Sequence, residues 1–344
     1  MVRVIELGVD TFGDVTVDGE GRAVPHHQVI RDVVEEGVLA EQVGLDFFGV
    51  GEHHRDDFSV SAPDVVLTAV AARTERIRLG SSVTVLSSDD PIRVFQRFAT
   101  LDAVSNGRAE VTLGRGSFTE SFPLFGFDLA DYETLFADKL DLFAALLREG
   151  PVTWAGTTRP PLEGVTVHPQ TASGSLRTWI GVGGSPESVV RAASYGLPLM
   201  LAIIGGDPVR FKPFVELFED ALAEHGHAML PVGVHAPGYV AATDEQARDE
   251  YYPHYAAMAD RIGRQRGWPP MTRARFEAEA GPEGAMFVGS PETVTAKIVR
   301  AATALGLSRF DLKYSAGTLP HPLIVRCIEL YGNEVAPAVR GALA

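Results

Sequence analysis

Eight short runs rich in β-branched residues, at 4–9, 46–51, 78–86, 109–113, 178–182, 198–204, 232–241 and 310–314, alternate with stretches of helical period. The helical stretches fall at 28–43, 63–73, 91–104, 131–147, 186–195, 209–225, 245–261 and 291–305, with 322–330 closing the chain. Alternation of this kind marks parallel βαβ construction. A parallel sheet must bury both faces, and eight units allow it to close on itself, whereas an open doubly wound sheet usually needs about five or six strands. The expected fold is therefore α/β, a (β/α)8 TIM barrel running over 1–344 as one domain. Three irregular segments, near 117–130, 150–170 and 263–286, break the repeat and read as insertions over one mouth. Helix punctuation agrees: Asp90-Pro91 opens one helical stretch and Asn106-Gly107 closes it.

Charge excludes some partners. The chain carries 30 Lys and Arg against 45 Asp and Glu, a net charge of −15, and has no basic block to neutralise a run of phosphates. Nucleic acid and anionic membrane are not expected partners. A single cysteine, Cys327, forms no internal disulfide and favours a reducing compartment. Apolar stretches fall far short of the ~20 residues that cross a bilayer, and Glu6 interrupts any signal-like start. A cytoplasmic protein is expected.

In a barrel of this kind chemistry sits at the carboxyl ends of the strands. The second strand runs into Gly51-Glu52-His53-His54-Arg55-Asp56-Asp57, two imidazoles among carboxylates. Neighbours on an extended chain point to opposite sides, so one of His53 and His54 is expected to face the axis, where it could move protons near neutral pH. A polar surface loop is the plain alternative. The fourth strand ends in Gly114-Arg115-Gly116, a forked donor between two residues that let backbone approach a ligand. The fifth runs into Gly183-Gly184-Ser185-Pro186-Glu187-Ser188, a helix start whose free amides and positive dipole end suit an anion. A second start of the same make, Gly289-Ser290-Pro291-Glu292, competes for that role. The first is preferred because it follows a buried strand and carries an extra glycine.

Neither glycine cluster completes Gly-x-Gly-x-x-Gly, so the chain lacks a dinucleotide fingerprint. No P-loop, zinc signature or Gly-x-Ser-x-Gly elbow occurs. The carboxylates of 52–57, with His168, His235 and His321, are what a metal-dependent barrel hydrolase would have to recruit, and none has a ligand spacing; no metal is expected.

Taken in order, these stretches resemble the bacterial luciferase-like, flavin-dependent monooxygenase family: 44–54, 77–86 with Asp90-Pro91, 101–108, Gly114-Arg115-Gly116, and the turns at 183–188 and 288–292. The resemblance spans most of the chain. It implies a luciferase-like barrel binding FMN, reduced by a separate flavin reductase, and using dioxygen to oxygenate a small organic substrate. It implies phosphate contacts from Arg115, Gly184, Ser185 and Ser188, with Gly116 and Gly183 also binding the cofactor. It also implies a cis peptide at Ser82-Val83, with Thr84 beside it against the cofactor ring, and a catalytic role for His53. Thr11, Phe12 and His54 are then the expected substrate contacts, and a homodimer the expected assembly. A glutamate of luciferase proper is replaced by Gly184, and the reactive luciferase cysteine has no counterpart, so light emission is not implied. The neighbouring alternative is hydride transfer with the deazaflavin coenzyme F420 on the same barrel; a flavin-binding protein without turnover is another.

Overall fold

The computed structural model describes residues 5–116 and 118–344. Val4, placed in the first expected strand, and Ser117, at the edge of the first insertion, lie outside the described residues. Eight parallel strands form the wall: β1 Glu6–Thr11, β2 Phe47–Val50, β3 Arg78–Ser81, β4 Ala109–Gly114, β5 Arg177–Val182, β6 Leu199–Ala202, β7 Val232–Val240 and β8 Arg309–Lys313. Each pairs with the next, and β8 closes the ring by pairing with β1 through Glu6↔Arg309 to Asp10↔Lys313. Helices cover the outside, capped as their sequences imply. Asp90 accepts from the N–H groups of Ile92 and Arg93 ahead of Pro91–Ser105, whose C-cap Asn106 is left-handed at φ 57°.

The barrel is not filled by hydrocarbon alone. Along β8, Phe310 and Leu312 face the helices while Arg309, Asp311 and Lys313 point inward, each at most 5% exposed. Arg309 donates to both oxygens of Asp311 at 2.9 Å and to Glu110 of β4, and its guanidinium lies 3.3 Å from the centre of the Phe47 ring. Arg78 and Arg177 reach the other Glu110 oxygen at 3.2 and 3.4 Å. This cluster plugs the amino end of the barrel. Gly8 makes room for it, because a Cβ there would stand 2.3 Å from the Asp311 carboxylate.

Several boundaries differ from expectation. The run 78–86 breaks at Ser82-Val83, resuming as Thr84–Val85 and a short 3-10 turn, so Ser82 and Val83 leave the ladder. The helix expected to stop at 261 continues as Asp244–Arg266, which shortens the third insertion. That insertion contains the helix Arg273–Ala280, and the first contains Ser121–Phe125. The second insertion is an antiparallel hairpin, Val152–Trp154 with Leu162–Val165, and contributes nothing to the cavity at the strand ends. A short strand, Phe287–Gly289, and a terminal helix, Ala336–Leu343, are too brief for the periodic signal that finds the rest.

Cutting the plug tests its weight. Arg309→Ala leaves Glu110 and Asp311 buried without their main partner, and the expected loss is about 3–5 kcal/mol. A urea midpoint at unchanged slope measures it; a loss under about 1 kcal/mol would show that Arg78 and Arg177 carry the plug without Arg309.

Candidate functional site

A cavity of about 700 Å³ opens at the carboxyl ends of the strands. The loops after the strands and the first and third insertions form its walls, so the elements that the barrel aligns all deliver side chains to one mouth. Of the residues expected in a site, His53, Ser82, Val83, Arg115, Gly116, Gly183, Gly184, Ser185, Phe12 and His54 line it. Thr11, Thr84 and Ser188 do not. Thr11 donates to Ser315 Oγ at 2.8 Å, Thr84 to Ser81 Oγ at 2.8 Å, and Ser188 to Ser185 Oγ at 3.3 Å, so their hydroxyls brace the wall behind the lining.

One corner presents donors that an anion could use. Ser185 caps the helix Pro186–Ser194, accepting from the Ser188 N–H, and Gly184 sits at φ 115°. A Cβ on Gly183 or Gly184 would meet nothing within 4 Å, so the backbone there fronts open space. The rival helix start is closed. At Gly289-Ser290 the side chain of Asp244 accepts from the Ser290 N–H at 2.7 Å and from Thr293 Oγ1 at 2.9 Å, already filling the turn with a carboxylate. Arg115 stands at the open corner, with its guanidinium 5.5 Å from the Tyr132 ring centre and a salt bridge to the exposed Glu133. The Ser185 hydroxyl donates to Glu187 at 2.7 Å. An arriving anion competes with two surface carboxylates for these donors.

The peptide between Ser82 and Val83 is cis. Gly114 and Gly181 stand beside the Val83 side chain, and a Cβ at Gly114 would come within 2.5 Å of it. Ser82 and Val83 form a ledge on the cavity wall, with the Val83 side chain packed over these two glycines.

Both histidines of the strand-two loop reach the cavity, against the expectation that only one would. The chain after Val50 is not a strand, so strict alternation ends before them. His53 stacks on Phe58 at 4.3 Å and meets the edges of Phe12 and Phe118 at 4.8 and 4.9 Å. Its Nδ1 lies 3.7 Å from Glu120 of the first insertion. Burial pushes the Glu120 carboxyl upward, but His53 and the His54 amide outweigh it and hold the group below its ordinary value. His54 is bound to Glu52 at 2.8 Å, and the other Glu52 oxygen accepts from the Val85 N–H. The loop is thus pinned to the ledge.

The floor holds residues that the sequence reading did not place in a site. His235, on β7, bonds through Nδ1 to Asp10 of β1 at 2.7 Å, and Lys313 Nζ reaches Asp14 at 3.0 Å. Burial alone would lower His235, yet Asp10 and then Asp311 override it, so the imidazole titrates above its ordinary value. Period-two placement on a strand was the available signal: Asp10 and His235 lie on inward positions of strands that read as apolar. Tyr251, Tyr255 and Trp268 complete the far wall, and burial pushes the Tyr255 hydroxyl up to about 12.

Among the described residues no three His, Cys, Asp or Glu side chains converge to hold a metal ion. His235 belongs to Asp10 and His321 to Glu36, and the carboxylates of 52–57 are engaged by His54, Arg55 and Arg261. Among the described residues no helix is long and apolar enough to cross a membrane.

The family model described as luciferase-like monooxygenase matches residues 7–309. A 4-hydroxyprotoasukamycin monooxygenase of Streptomyces nodosus subsp. asukaensis is 29% identical over 323 residues, 88% of this chain and 85% of the relative. Two solved structures share the fold. The oxygenating constituent of 3,6-diketocamphane monooxygenase from Pseudomonas putida, a type II Baeyer-Villiger monooxygenase in complex with FMN, superposes with a TM-score of 0.77 at 18% identity, covering 97% of this chain and 98% of its own. The coenzyme F420 dependent tetrahydromethanopterin reductase of Methanopyrus kandleri gives 0.72 at 19%, covering 97% and 99%.

The buried pair on the floor makes a pH prediction. Because Asp10 raises His235, the stability it adds is present in full below the ordinary value of 6.5 and is lost as pH rises through the folded value. The difference in unfolding free energy between wild type and His235→Asn should therefore shrink with rising pH across that window. A difference that stays flat would mean the pair is not charged.

Proposed function

Because the chain belongs to the luciferase-like monooxygenase family, we propose that it is an FMN-dependent monooxygenase, taking reduced flavin from a separate flavin reductase and oxygenating a small organic substrate with dioxygen. The observation that carries this reading is one cavity lined both by Arg115 and the open Gly184-Ser185 helix start and by aromatic side chains. FMN brings an anion and an aromatic ring system to match. The closed Gly289-Ser290 start leaves the corner as the better of the two helix termini for a phosphate.

The fit is specific at three points. Arg115 offers a planar fork to the phosphate, and the amides of Gly184 and Ser185 add donors at the positive end of the helix dipole. The Ser82-Val83 ledge gives the ring system a flat apolar neighbour, with Gly116 and Gly183 lining the path to the corner. Bound reduced FMN supplies the electrons by which dioxygen becomes an oxygenating agent. The protein's own residues do the rest. Phe12, Phe58 and Phe118 keep water from His53, whose imidazole holds or moves a proton beside the ring system, with Glu120 near enough to steady the charged form. Glu52 fixes His54 at the rim. Phe12 and His54 are the expected substrate contacts. A cytoplasmic homodimer remains part of the proposal.

Titration with FMN and with the deazaflavin, followed by fluorescence quenching, tests the cofactor. FMN is expected to bind the more tightly, and Arg115→Ala to weaken it at least about tenfold, the loss of one charge-assisted contact. Preference for the deazaflavin would move the chemistry to hydride transfer. His53→Ala should slow turnover by about 10²–10⁴ while FMN affinity holds; unchanged turnover would remove His53 from the mechanism.

A further inference from the structure

We infer that His235, locked by Asp10, is the site that takes the acidic hydroxyl of a phenolic or enolic substrate. The inference rests on the monooxygenase reading and names the substrate class for the same cavity. Asp10 is fully buried, and His235 Nδ1 is held on its Oδ2 at 2.7 Å. Among the described residues the other Asp10 oxygen has no hydrogen-bond partner, so the carboxylate's charge is directed at the imidazole. A carboxylate on Nδ1 fixes the tautomer and leaves Nε2 of the neutral ring as an acceptor. His235 lines the cavity, whereas Asp10 does not. The pair therefore presents one basic nitrogen to whatever lies above the floor.

What lies above is shaped for a flat ring. Phe12 stacks on His235 at 5.9 Å and 17°, and Tyr251, Tyr255 and Trp268 stand on the far wall. The charged groups around His235 are Asp10 of β1 and Asp311 and Lys313 of β8. Lys313 also lines the cavity, with its ammonium 4.6 Å from the centre of the Phe12 ring. An oxygen that gives its proton to Nε2 would then sit near two positive groups. In that step the substrate O–H bond breaks, an Nε2–H bond forms, and the imidazolium is stabilised from behind by Asp10. The resulting phenolate or enolate is more electron-rich at carbon than its parent, the form best suited to receive oxygen. Apolar walls alone would select an aromatic body. The buried dyad adds the demand for an ionisable hydroxyl, because a substrate lacking it leaves Nε2 unpaired in a dry site.

The test uses 4-nitrophenol, whose anion absorbs in the visible, and 4-nitroanisole, which has no acidic proton. Purified protein is titrated with each, with and without FMN, over a pH series that spans both the charged and the neutral imidazole, since Asp10 raises His235 and only the neutral ring can take the phenol's proton. The expected result is binding of the phenol at least tenfold tighter than the anisole, with the anion band appearing on binding. His235→Gln and Asp10→Asn should remove both the preference and the band. The wild-type comparison of the two probes stands even if a variant fails to fold. Equal binding of the two probes, no binding of the phenol, or a bound phenol that stays neutral would overturn the inference. So would an unchanged preference in folded His235→Gln. FMN affinity in the same variants separates the two readings: loss of FMN binding on His235→Gln, with the probe preference intact, would give the dyad to the cofactor instead, whereas failure of wild type to bind FMN bears on the cofactor alone.

Discussion

The buried guanidinium of Arg309 is the constraint on which the barrel depends. A ring of eight parallel strands encloses a volume that must be filled, and here the amino end is filled by one Arg held between Glu110 and Asp311 and stacked on Phe47. Isolated charges do not persist in such an interior, so each must find its partner in a fixed place. Burial pushes the Asp311 carboxyl up to about 7 even though Arg309 opposes it, a measure of how dry the plug is. Asp311 lies two residues along β8, whereas Glu110 and Phe47 come from β4 and β2, so the plug ties β8 across the barrel to strands it does not pair with.

The consequence runs up the same strand. With Arg309 and Asp311 inward, the period of two puts Lys313 inward as well, at the open end, beside Asp14. On β1 and β7 the same layering brings Asp10 to His235. Charge is thus stacked along the axis: a sealed plug below, a proton-holding floor above it, and the cavity over that. Arg309, Asp311 and Glu110 are buried beneath the floor, and the cavity opens at the other end of the strands. The glycines at 8, 114 and 181 serve this arrangement by leaving space for Asp311 and for the Val83 side chain, where a Cβ would collide or crowd.

Much of this was legible in the residues. Strand count, parallel order, the helix caps at Asp90 and Ser185, and the mouth that carries the site all follow from periodicity and punctuation, because those signals are local. Of the two Gly-Ser-Pro-Glu helix starts, sequence favours the first only by its buried strand and extra glycine; what sequence does not show is that Asp244, 46 residues away from Ser290, occupies the turn of the second. The axial charges were hidden for a related reason. An Asp or His in an apolar strand reads as an irregularity until its partner on another strand is known, and Asp10 and His235 are 225 residues apart. Thr11, Thr84 and Ser188 show the converse: each lies close in sequence to a lining residue, yet its hydroxyl bonds to a neighbour and it is not among the lining residues.

The proposed function stands on FMN occupying the cavity with its phosphate at the open helix start. A crystal structure of the protein with FMN bound measures this most directly. Phosphate density is expected between Arg115 and the amides of Gly184 and Ser185, with the ring system against Ser82-Val83 and His53 at its edge. Phosphate at Gly289-Ser290, or a ring lying away from the Ser82-Val83 ledge, would contradict it.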